Sequence, residues 1–312
     1  MSEPSFAAVI VIHDSAPELA ALLRSLERRV DPPPELVVVD TGSTDGGAEL
    51  ARERGAQVVE LPHNPGFGAA NNAGVARASA PVTALLNPDI ELLDSGLLSL
   101  VATVRERNVL LVPRLIDADG TVERSAHPTP GQLAGLVPAV IHPRALPRSI
   151  RLRADPWRTE RPRGVGWAVA ACLVARTETL RALGPFDPRA FLFYEDMDLC
   201  LRARKAGVPT VIDPNVRVRH IGGHATEVAY RGEPYELMAS RRRAVVRERL
   251  GRSALALDDA AQALTFATRA AARRLLGDSG AREAAQLRAV LGARRGADPS
   301  DIYDGPRRAA DG

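Results

Sequence analysis

The sequence predicts an α/β fold, with a mostly parallel, twisted sheet flanked by helices and a helical extension at its C-terminal end. Apolar runs suited to strands buried on both faces alternate with helical patterns through the first third of the chain. From about residue 231 the composition shifts to Ala, Leu and Arg with a helical period. These observations predict an α/β domain over residues 1–230, a basic helical extension over 231–296 and a disordered tail over 297–312.

Strands and helices alternate strictly in the first half of the α/β domain. The expected strands, all rich in Val, Leu or Ile, are 7–12, 36–39, 58–61, 83–87 and 109–113. The expected helices between them are 17–28, 45–55, 69–78 and 97–107. Pro17 opens the first helix, and Asp45 is expected to cap the second. This βαβα order indicates parallel pairing.

The pattern is less regular in the second half. DADG at 117–120 is typical of a hairpin turn. Residues 125–163 are rich in Pro and Arg, show no period, and are expected to form a lid over an acceptor. The remaining expected elements are a strand at 165–176, a helix from Thr177, a helix over the acidic cluster near 195, and strands at 208–212 and 216–219.

Composition excludes several classes of protein. The chain is 45% hydrophobic and 25% charged, as in soluble globular proteins, and its net charge of +3 is too small to indicate a nucleic-acid partner. No apolar run approaches the ~18 residues of a membrane span, and no signal peptide is expected. Cys172 and Cys200 are expected to be structural thiols of a reducing, cytoplasmic compartment. Lys205 is the only lysine.

Asp40 stands at the C-terminal end of an expected strand, where α/β sheets collect ligands. The small residues that follow, Thr-Gly-Ser-Thr, leave N–H groups accessible, and the carboxylate can accept hydrogen bonds from a base or ribose. An ordinary loop leading into a helix is the alternative. No G-x-G-x-x-G follows the first strand, so the dinucleotide-binding fingerprint is absent from the sequence.

Asp89 follows another expected strand, in the segment LLNPD. A carboxylate there suits Mg²⁺ or Mn²⁺, which bind with substrate phosphates, although Asn-Pro-Asp is also common turn chemistry. His220 ends a late strand before two glycines and can complete a Mn²⁺ shell. Asp117 and Asp119 are rival metal ligands, which the hairpin prediction disfavours.

Three acids, Glu195, Asp196 and Asp198, directly follow the apolar run 191–194. They could simply enrich the first turn of a helix, where the dipole favours negative charge. A carboxylate with a catalytic task is the other interpretation, because a charge beside apolar residues is costly unless it is used. Asp198 is expected to pair with Arg202, four residues on.

These segments together carry a resemblance to a known family. They are VIVIHDS, VVVDTGSTDG, NPGFGAANNAG, LLNPD, the GPFD–FLFYEDMDLCLRARKAG block and HIGG. In this order, over about residues 5–230, the chain resembles the family 2 inverting glycosyltransferases of the GT-A fold. It is most similar to the bacterial rhamnosyltransferase-like subgroup, in which Asn-Pro-Asp replaces the usual Asp-x-Asp.

The resemblance implies roles for individual residues. Asp40 would contact the nucleotide base with Asp14 and Ser43 nearby, and His13 stands where the family usually has Tyr. The nucleotide and sugar pocket would be lined by Asn64, Gly66, Phe67, Gly68 and Asn71. Asn87 fills the first acidic slot of the usual motif. Asp89 and His220 would hold a divalent cation, Mn²⁺ or Mg²⁺, on the diphosphate.

The same resemblance makes Asp196 the general base and Glu195 its neighbour that orients the acceptor or the base. Trp167 is expected to offer its ring to an acceptor sugar, with a core position as the alternative. The implied reaction moves a sugar, first L-rhamnose from dTDP-rhamnose, to a glycan or polyprenyl-diphosphate-linked hydroxyl in cell-wall or surface polysaccharide synthesis. A non-catalytic sugar-nucleotide or glycan-binding module is one rival. A nucleotidyltransferase is another, but HDSAPEL lacks the basic, glycine-rich loop it needs.

The helical extension opens with a set of arginines: Arg241, Arg242, Arg243, Arg247, Arg249 and Arg252. A basic amphipathic helix is typical of a membrane-surface element and would suit a lipid-linked acceptor at the inner face of the plasma membrane. The alternative is a helix packed on the protein, or a homodimer contact, with a solvated arginine face.

Overall fold

A computed structural model describes residues 5–141, 145–222 and 234–295. The tail expected over 297–312 lies outside the described residues. The chain divides into a sheet unit, residues 1–126 and 159–225, and a helical unit, residues 127–158 and 226–312. The boundaries expected from the sequence differ from this division, since they placed 127–158 with the sheet.

The strands form in the expected places, with several additions. In chain order they are β1 Ala7–Ile12, β2 Glu35–Asp40, β3 Gln57–Glu60, β4 Val82–Leu86, β5 Ile90–Leu92, β6 Leu110–Ile116, β7 Ala126–His127, β8 Arg163–Val165, β9 Trp167–Ala168, β10 Cys172–Arg176 and β11 Thr210–His220. The shorter helices are α1 Ala16–Arg29, α2 Gly47–Glu53, α3 Phe67–Arg77, α4 Gly96–Glu106, α5 Leu136–Val140, α6 Arg148–Ala154, α7 Thr177–Leu183 and α8 Glu195–Lys205. Two further helices, Tyr235–Leu275 and Ala281–Arg295, end the described chain.

The sheet confirms the α/β prediction and is mixed. Its order is β3-β2-β1-β4-β10-β6-β11-β5, with β8 also paired to β11. The pairs among β3, β2, β1 and β4 are parallel, as is β6 with β11. β10 lies between β4 and β6 and runs antiparallel to both, and β5 and β8 run antiparallel to β11.

The core lies where α1 and α4 cover the sheet. The apolar face of α1 expected from its spacing is buried, with Leu19, Leu22, Leu23 and Leu26 each at most 2% exposed. Leu97 and Leu100 of α4 join the same cluster as Ile10 and Leu86 of the central strands. Burial of about 25 cal/mol per Å² of apolar surface makes this cluster the main stabilising term of the sheet unit.

Three local predictions differ from the structure. The expected strand 165–176 is broken, because Trp167–Ala168 (β9) pairs with β7 in a separate two-stranded sheet before Cys172–Arg176 (β10) joins the main sheet. The two strands expected at 208–212 and 216–219 are one strand with a register shift between Asp213 and Arg217. Gly46, not Asp45, directly precedes α2. The Asp45 carboxylate accepts from the N–H of Gly47, the first residue of α2, at 3.1 Å, and from the Ala16 N–H at 2.6 Å.

The helical unit is built around a turn in its long helix. Gly251 has φ 87° and interrupts Tyr235–Leu275. Arg242 pairs with Asp258 through two 2.8 Å bonds, and Arg243 pairs with Asp259. A continuous helix would separate residues sixteen apart by about 24 Å, so these pairs require the chain to fold back at Gly251.

The same pairs decide what the arginine-rich segment does. Arg241 is buried, and Arg242 and Arg243 are bonded to buried aspartates, so three of the six arginines point into the unit. The single basic face expected over 241–252 is therefore absent, because the turn at Gly251 folds this stretch inward. Among the described residues, no helix is long and apolar enough to cross a membrane.

We expect Asp258→Asn to lower the free energy of unfolding by roughly 2 kcal/mol, because it removes a charge-assisted pair of hydrogen bonds from Arg242 in a buried setting. The measurement is the midpoint of urea unfolding. Glu27→Gln serves as a control, since Glu27 meets Arg54 at 2.6 Å on an exposed surface and should contribute less than about 1 kcal/mol. Equal shifts for the two variants would contradict the assigned role of the Arg242 pair.

Candidate active site

Three loops that carry expected site residues emerge from one edge of the sheet. β1, β2 and β4 are mutually parallel, and they end at Ile12, Asp40 and Leu86. Parallel strands present their carboxyl ends at the same edge, which is where α/β proteins bind ligands. The residues that follow these strands, 13–15, 41–46 and 87–89, therefore face a common region.

The first two loops are tied to each other by polar bonds. Asp14 accepts from the Thr44 N–H at 2.7 Å, and its own N–H donates to Ser43 Oγ at 3.0 Å. Asp40 accepts from both the N–H (2.9 Å) and the hydroxyl (2.5 Å) of Ser43. The Thr44 N–H bond lowers the pKa of Asp14, so the carboxylate stays ionised. Exposed His13 lies at the rim, 3.2 Å through Nδ1 from Thr41 Oγ1.

The glycine-rich turn before α3 approaches another loop very closely. Gly66 has φ 94°, and a Cβ at this position would lie 2.4 Å from the Phe191 carbonyl oxygen. That same carbonyl accepts from the Phe67 N–H at 3.0 Å. Asn64 accepts from the Gly66 N–H at 2.9 Å and shapes the turn. Glycine is therefore required at position 66 for both its conformation and its size.

Two further residues of this motif pack into the protein. Gly68 lies against Phe186, whose Cβ would be 2.8 Å from an added Cβ. Asn71 is buried and donates to the Phe67 carbonyl at 3.0 Å, so it holds the first turn of α3. Both residues thus stabilise the start of α3, directly after the glycine-rich turn.

Asn72 is a site-supporting residue that the sequence analysis missed. Its amide donates to the Phe186 carbonyl (2.8 Å) and accepts from the Phe186 N–H (2.9 Å). This pair of bonds joins α3 to the loop that leads into α8. The two residues are far apart in sequence, and an asparagine within a helix gives no local sign of such a partner.

Asp196 lies in the first turn of α8. Burial raises its pKa to about 7, although the N–H groups of Met197 and Ala170 act in the opposite direction. The Met197 N–H donates to Asp196 Oδ1 at 2.6 Å. A carboxyl with a pKa near neutrality can take up a proton at physiological pH, which an ordinary aspartate does poorly. Glu195 is buried beside it.

Asp198 has a different task, and its expected pairing is confirmed. Its carboxylate accepts from Arg202 Nε at 2.7 Å. The guanidinium also donates to the carbonyls of Leu183 (2.5 Å) and Pro185 (2.7 Å). Arg202 therefore fastens the loop before α8 to the helix itself, a role that the i,i+4 spacing did not reveal.

The backbone just before α8 is strained. Phe193 (φ 72°) and Tyr194 (φ 62°) both occupy the left-handed region, which is unfavourable for large side chains. The ring of Tyr194 lies 5.9 Å from that of Trp167, which is almost fully buried. This burial favours the core alternative for Trp167, since little of its face is left for a sugar.

The expected metal ligands come together at the ends of β4 and β11. His220 Nε2 lies 3.6 Å from Asp89 Oδ1, and His220 Nδ1 lies 2.9 Å from Glu123 Oε2. Burial lowers the pKa of His220, but the hydrogen bond with Glu123 and the charge of Asp89 outweigh it, so that the pKa lies above its usual value. Glu123 was missed because its partner is distant in sequence.

Two side-chain oxygens at the Asp89–His220 site have no hydrogen-bond partner. Asn87 Oδ1 and Asp89 Oδ1 are buried and accept no hydrogen bond in the structure. Within the described residues, no group of three or more His, Cys, Asp or Glu side chains is placed to hold a metal by itself. A cation here would thus need ligands from a substrate, which is how Mg²⁺ and Mn²⁺ commonly bind beside phosphates.

The rival acidic segment is a turn. The Asp117 N–H donates to the Thr121 carbonyl at 2.8 Å, and the Asp119 carboxylate accepts from the Thr121 N–H at 2.9 Å. Ile116 and Val122 pair across it in antiparallel fashion. The hairpin expected at 117–120 is confirmed, and its acids are used in closing the turn.

Comparison with known proteins places the chain among sugar-transferring enzymes. A family model described as "Glycosyl transferase family 2" matches residues 7–165. A Mycobacterium tuberculosis protein named N-acetylglucosaminyl-diphospho-decaprenol L-rhamnosyltransferase is 32% identical over 243 residues, covering 70% of this chain and 76% of the relative.

Solved structures share the fold at low identity. The mannosyltransferase PcManGT from Pyrobaculum calidifontis, in complex with GDP-Man and Mn²⁺, has a TM-score of 0.55 at 15% identity, covering 94% of this chain and 87% of that one. GalNAc-T7 with UDP, GalNAc and Mn²⁺ has a TM-score of 0.57 at 19% identity, covering 78% and 48%. These likenesses identify the fold as GT-A, as the motifs implied.

We expect Asp196→Asn to be more stable than the unmodified protein above pH 7. The folded-state pKa of about 7 lies above the ordinary 3.8, so the folded protein binds a proton more tightly than the unfolded chain does, and stability falls as pH rises between these values. Asparagine has no such proton. Melting temperatures between about pH 5 and pH 8 test this, and an advantage that does not grow with pH would contradict it.

Asp198→Asn should behave oppositely, although it is the same substitution two residues along. It weakens the buried contact with Arg202 and should cost roughly 2 kcal/mol across that pH range. Thermal unfolding of the two variants side by side distinguishes the two acids. Burial of ionised Asp196 costs stability, whereas the contact of Asp198 with Arg202 adds to it. Similar unfolding behaviour for both would show that the two acids share a role.

Proposed function

Because the chain belongs to glycosyl transferase family 2, we propose that it moves a sugar, with inversion, from a nucleotide-diphosphate donor to an acceptor hydroxyl that Asp196 deprotonates. The observation that carries the proposal is Asp196 itself, a carboxyl whose pKa is raised to about 7 by burial at the start of α8. An inverting transfer needs one such base opposite the leaving group. Glu195, buried beside it, would orient the base or the acceptor.

The linked loops after β1 and β2 would bind the nucleotide. Asp40 and Asp14 are held by Ser43 and Thr44, and they remain able to accept further hydrogen bonds through their second oxygens. Carboxylate acceptors suit the N–H of a pyrimidine base and the hydroxyls of a sugar ring. His13, exposed at the rim, would cover the base from one side. Asn64 and the turn that it shapes would face the diphosphate and donor sugar.

Asn87, Asp89 and His220 fit a divalent cation. Two buried oxygens without partners and a ring nitrogen 3.6 Å from one of them form an incomplete ligand set. Bound there, Mn²⁺ or Mg²⁺ would supply positive charge to the diphosphate as it leaves. The usual Asp-x-Asp motif offers two carboxylates, but this chain offers only Asp89. Its residues alone would therefore bind the cation weakly, and substrate phosphates would provide the remaining ligands. Glu123 would fix the His220 ring through Nδ1.

The donor is proposed to be dTDP-L-rhamnose and the acceptor a polyprenyl-diphosphate-linked glycan, in cell-wall or surface polysaccharide synthesis. The Mycobacterium tuberculosis relative supports both, since its name describes L-rhamnosyl transfer to a decaprenol-linked sugar. Such an acceptor would bring the protein to the inner face of the plasma membrane. The GDP-Man and Mn²⁺ named with the mannosyltransferase structure, and the UDP, GalNAc and Mn²⁺ named with GalNAc-T7, support a metal-dependent donor site.

A panel of nucleotide-sugars, each with and without Mn²⁺, tests the donor by thermal stabilisation. A ligand that binds only the folded state raises the unfolding free energy by about 2.7 kcal/mol at a hundredfold excess over its Kd. We expect selective stabilisation by dTDP-rhamnose that Mn²⁺ increases. Stabilisation by a UDP- or GDP-sugar alone would overturn the donor, and no response to any sugar nucleotide would favour a binding module that uses another ligand.

Asp196→Asn should reduce turnover roughly 10²–10⁴-fold, because it removes the proton acceptor. Donor-induced thermal stabilisation should persist, since Asp196 does not hold the nucleotide. In the unmodified enzyme kcat/KM should fall about tenfold per unit below pH 7, as the carboxylate takes up its proton. Near-normal turnover in the variant, or a rate independent of pH in this range, would exclude Asp196 as the base.

Glu123→Gln should raise the Mn²⁺ concentration needed for half-maximal activity by roughly 10–100-fold, because His220 would lose its orienting partner. Glu91→Gln is the matched control: Glu91 lies on the neighbouring strand but bonds to Arg219, 2.5 Å away. Mn²⁺ titrations of donor-induced stabilisation provide the same comparison without turnover. An equal shift for both variants would indicate a general electrostatic effect.

A further inference from the structure

One face of the sheet carries four arginines on three adjacent strands. In the parallel pair β6 and β11, Arg217 lies directly opposite Arg114, and Arg219 is two residues further along β11. Arg163, on β8, lies opposite Ile212 of β11. The residues that alternate with them on β6 and β11 belong to the core cluster: Leu111, Leu115, Val211, Val216 and Val218. Because successive side chains of a strand point to opposite faces, the arginines all lie on the face away from that core.

The charges on this face are only partly balanced. Arg219 Nη1 lies 2.5 Å from Glu91 Oε2, which is an ion pair. Within the described residues, the other three arginines of this face take part in no ion pair. Glu160 is close enough to act on Arg114 through its charge. Four arginines against these two acids leave the face positively charged.

The guanidinium of Arg114 is incompletely bonded. It donates through Nη2 to the Thr159 carbonyl, but its Nε is buried and has no hydrogen-bond partner. Neighbouring strands are about 4.8 Å apart, so the like charges of Arg114 and Arg217 repel each other. Burial, and then the charge of Arg217, lower the pKa of Arg114. An anion held between the two guanidinium groups would offset this repulsion and supply an acceptor that the protein itself lacks there.

The same face of the sheet is covered by α8. Cys200 lies beside Thr210, whose hydroxyl acts on the Cys200 thiol, and Thr210 alternates with a residue of the core cluster. Only residues 206–209 separate α8 from β11, and the middle of the helix lies beside the start of the strand, so the helix folds back along the strand. The first turn of α8, with Asp196, therefore lies toward the part of β11 that carries Arg217.

The arginine pair is separate from the proposed cation site. His220 follows Arg217 by three residues on the same strand, which is about 10 Å along it. A diphosphate held by Arg114 and Arg217 would thus be a different one from the diphosphate that leaves the donor beside Asp89 and His220.

We propose that Arg114 and Arg217 bind the diphosphate of a lipid-linked acceptor, with Arg163 adding charge beside them. Guanidinium groups bind phosphate oxygens through two parallel hydrogen bonds and remain charged at physiological pH. A diphosphate is favoured over a carboxylate because its several negative charges match several guanidinium groups. The acceptor sugar would then extend toward Asp196, which takes its proton. This proposal rests on the proposed function and names the part of the acceptor that the chain recognises.

Calorimetric titration of the full chain with pyrophosphate tests the pair, in EDTA so that no cation occupies the Asp89–His220 site. We expect Arg217→Ser to weaken binding roughly tenfold, because charge-assisted hydrogen bonds are lost. Arg217→Lys keeps the charge without the planar fork and should weaken it less. Arg24→Ser is the matched control, since Arg24 is an exposed arginine of α1, on the opposite face of the sheet, and it should bind as the unmodified chain does. Arg217 is also exposed, so folding, checked by thermal unfolding, should be preserved.

Two further measurements distinguish the diphosphate of the acceptor from that of the donor. Saturating dTDP should leave pyrophosphate binding unchanged, because the two anions occupy different places. A short-chain N-acetylglucosaminyl-diphospho-prenol serves as acceptor, after the name of the Mycobacterium tuberculosis relative. With it, Arg217→Ser should raise the acceptor KM roughly tenfold. The donor KM and donor-induced thermal stabilisation should not change.

Three results would overturn the proposal: competition between dTDP and pyrophosphate, equal pyrophosphate binding by Arg217→Ser and the unmodified chain, or an unchanged acceptor KM in that variant. If the donor response is intact, each of these leaves the proposed function standing. Loss of pyrophosphate binding in Arg217→Ser, without a response to any nucleotide-sugar, would support the anion site and overturn the proposed function instead.

Discussion

The position of Asp196 depends on how the loop that precedes α8 is fastened. Asn72 holds it through both backbone groups of Phe186, and the Gly66 turn closes on the carbonyl of Phe191. Arg202 holds its beginning from the other side. The turn expected to face the donor and the helix that carries the proposed base are therefore connected through these contacts. A transfer in a single displacement needs this fixed relation, since small misplacements of reacting groups cost large factors in rate.

The fold gives two carboxyls of the candidate site pKa shifts of opposite direction. Asp14, bonded by the Thr44 N–H at a rim, has its pKa lowered and suits permanent acceptance of hydrogen bonds. Asp196 has its pKa raised by burial and suits taking up a proton. The two residues are both aspartates, so it is their surroundings that suit one to accepting hydrogen bonds and the other to taking up a proton. The left-handed Phe193 and Tyr194 show that the chain accepts backbone strain to place the second carboxyl where burial acts on it.

Local sequence patterns predicted the ligand-binding edge of the sheet, the acidic start of α8 and the Asp198–Arg202 pair. Each of these depends on residues that are close together in the sequence. Asn72 and Glu123 escaped prediction, since each acts on a residue about a hundred positions away. Of the two interpretations of the arginines of 241–252, the membrane-surface one assumed a continuous helix, and the pairs formed by Arg242 and Arg243 favour the packed one. Gly251 was a visible sign of a break within that pattern.

The C-terminal end of α8 carries a site suited to labelling with a fluorescent dye. Lys205, the only lysine of the chain, is exposed at the last residue of the helix whose first turn carries Asp196. Both cysteines are buried and keep thiol pKa values near 11 and 12, so thiol reagents have little to attack in the folded state. Apart from the α-amino group, amine chemistry therefore attaches one dye at one known place. Its fluorescence would report, in a single turnover, whether α8 moves when donor and acceptor bind.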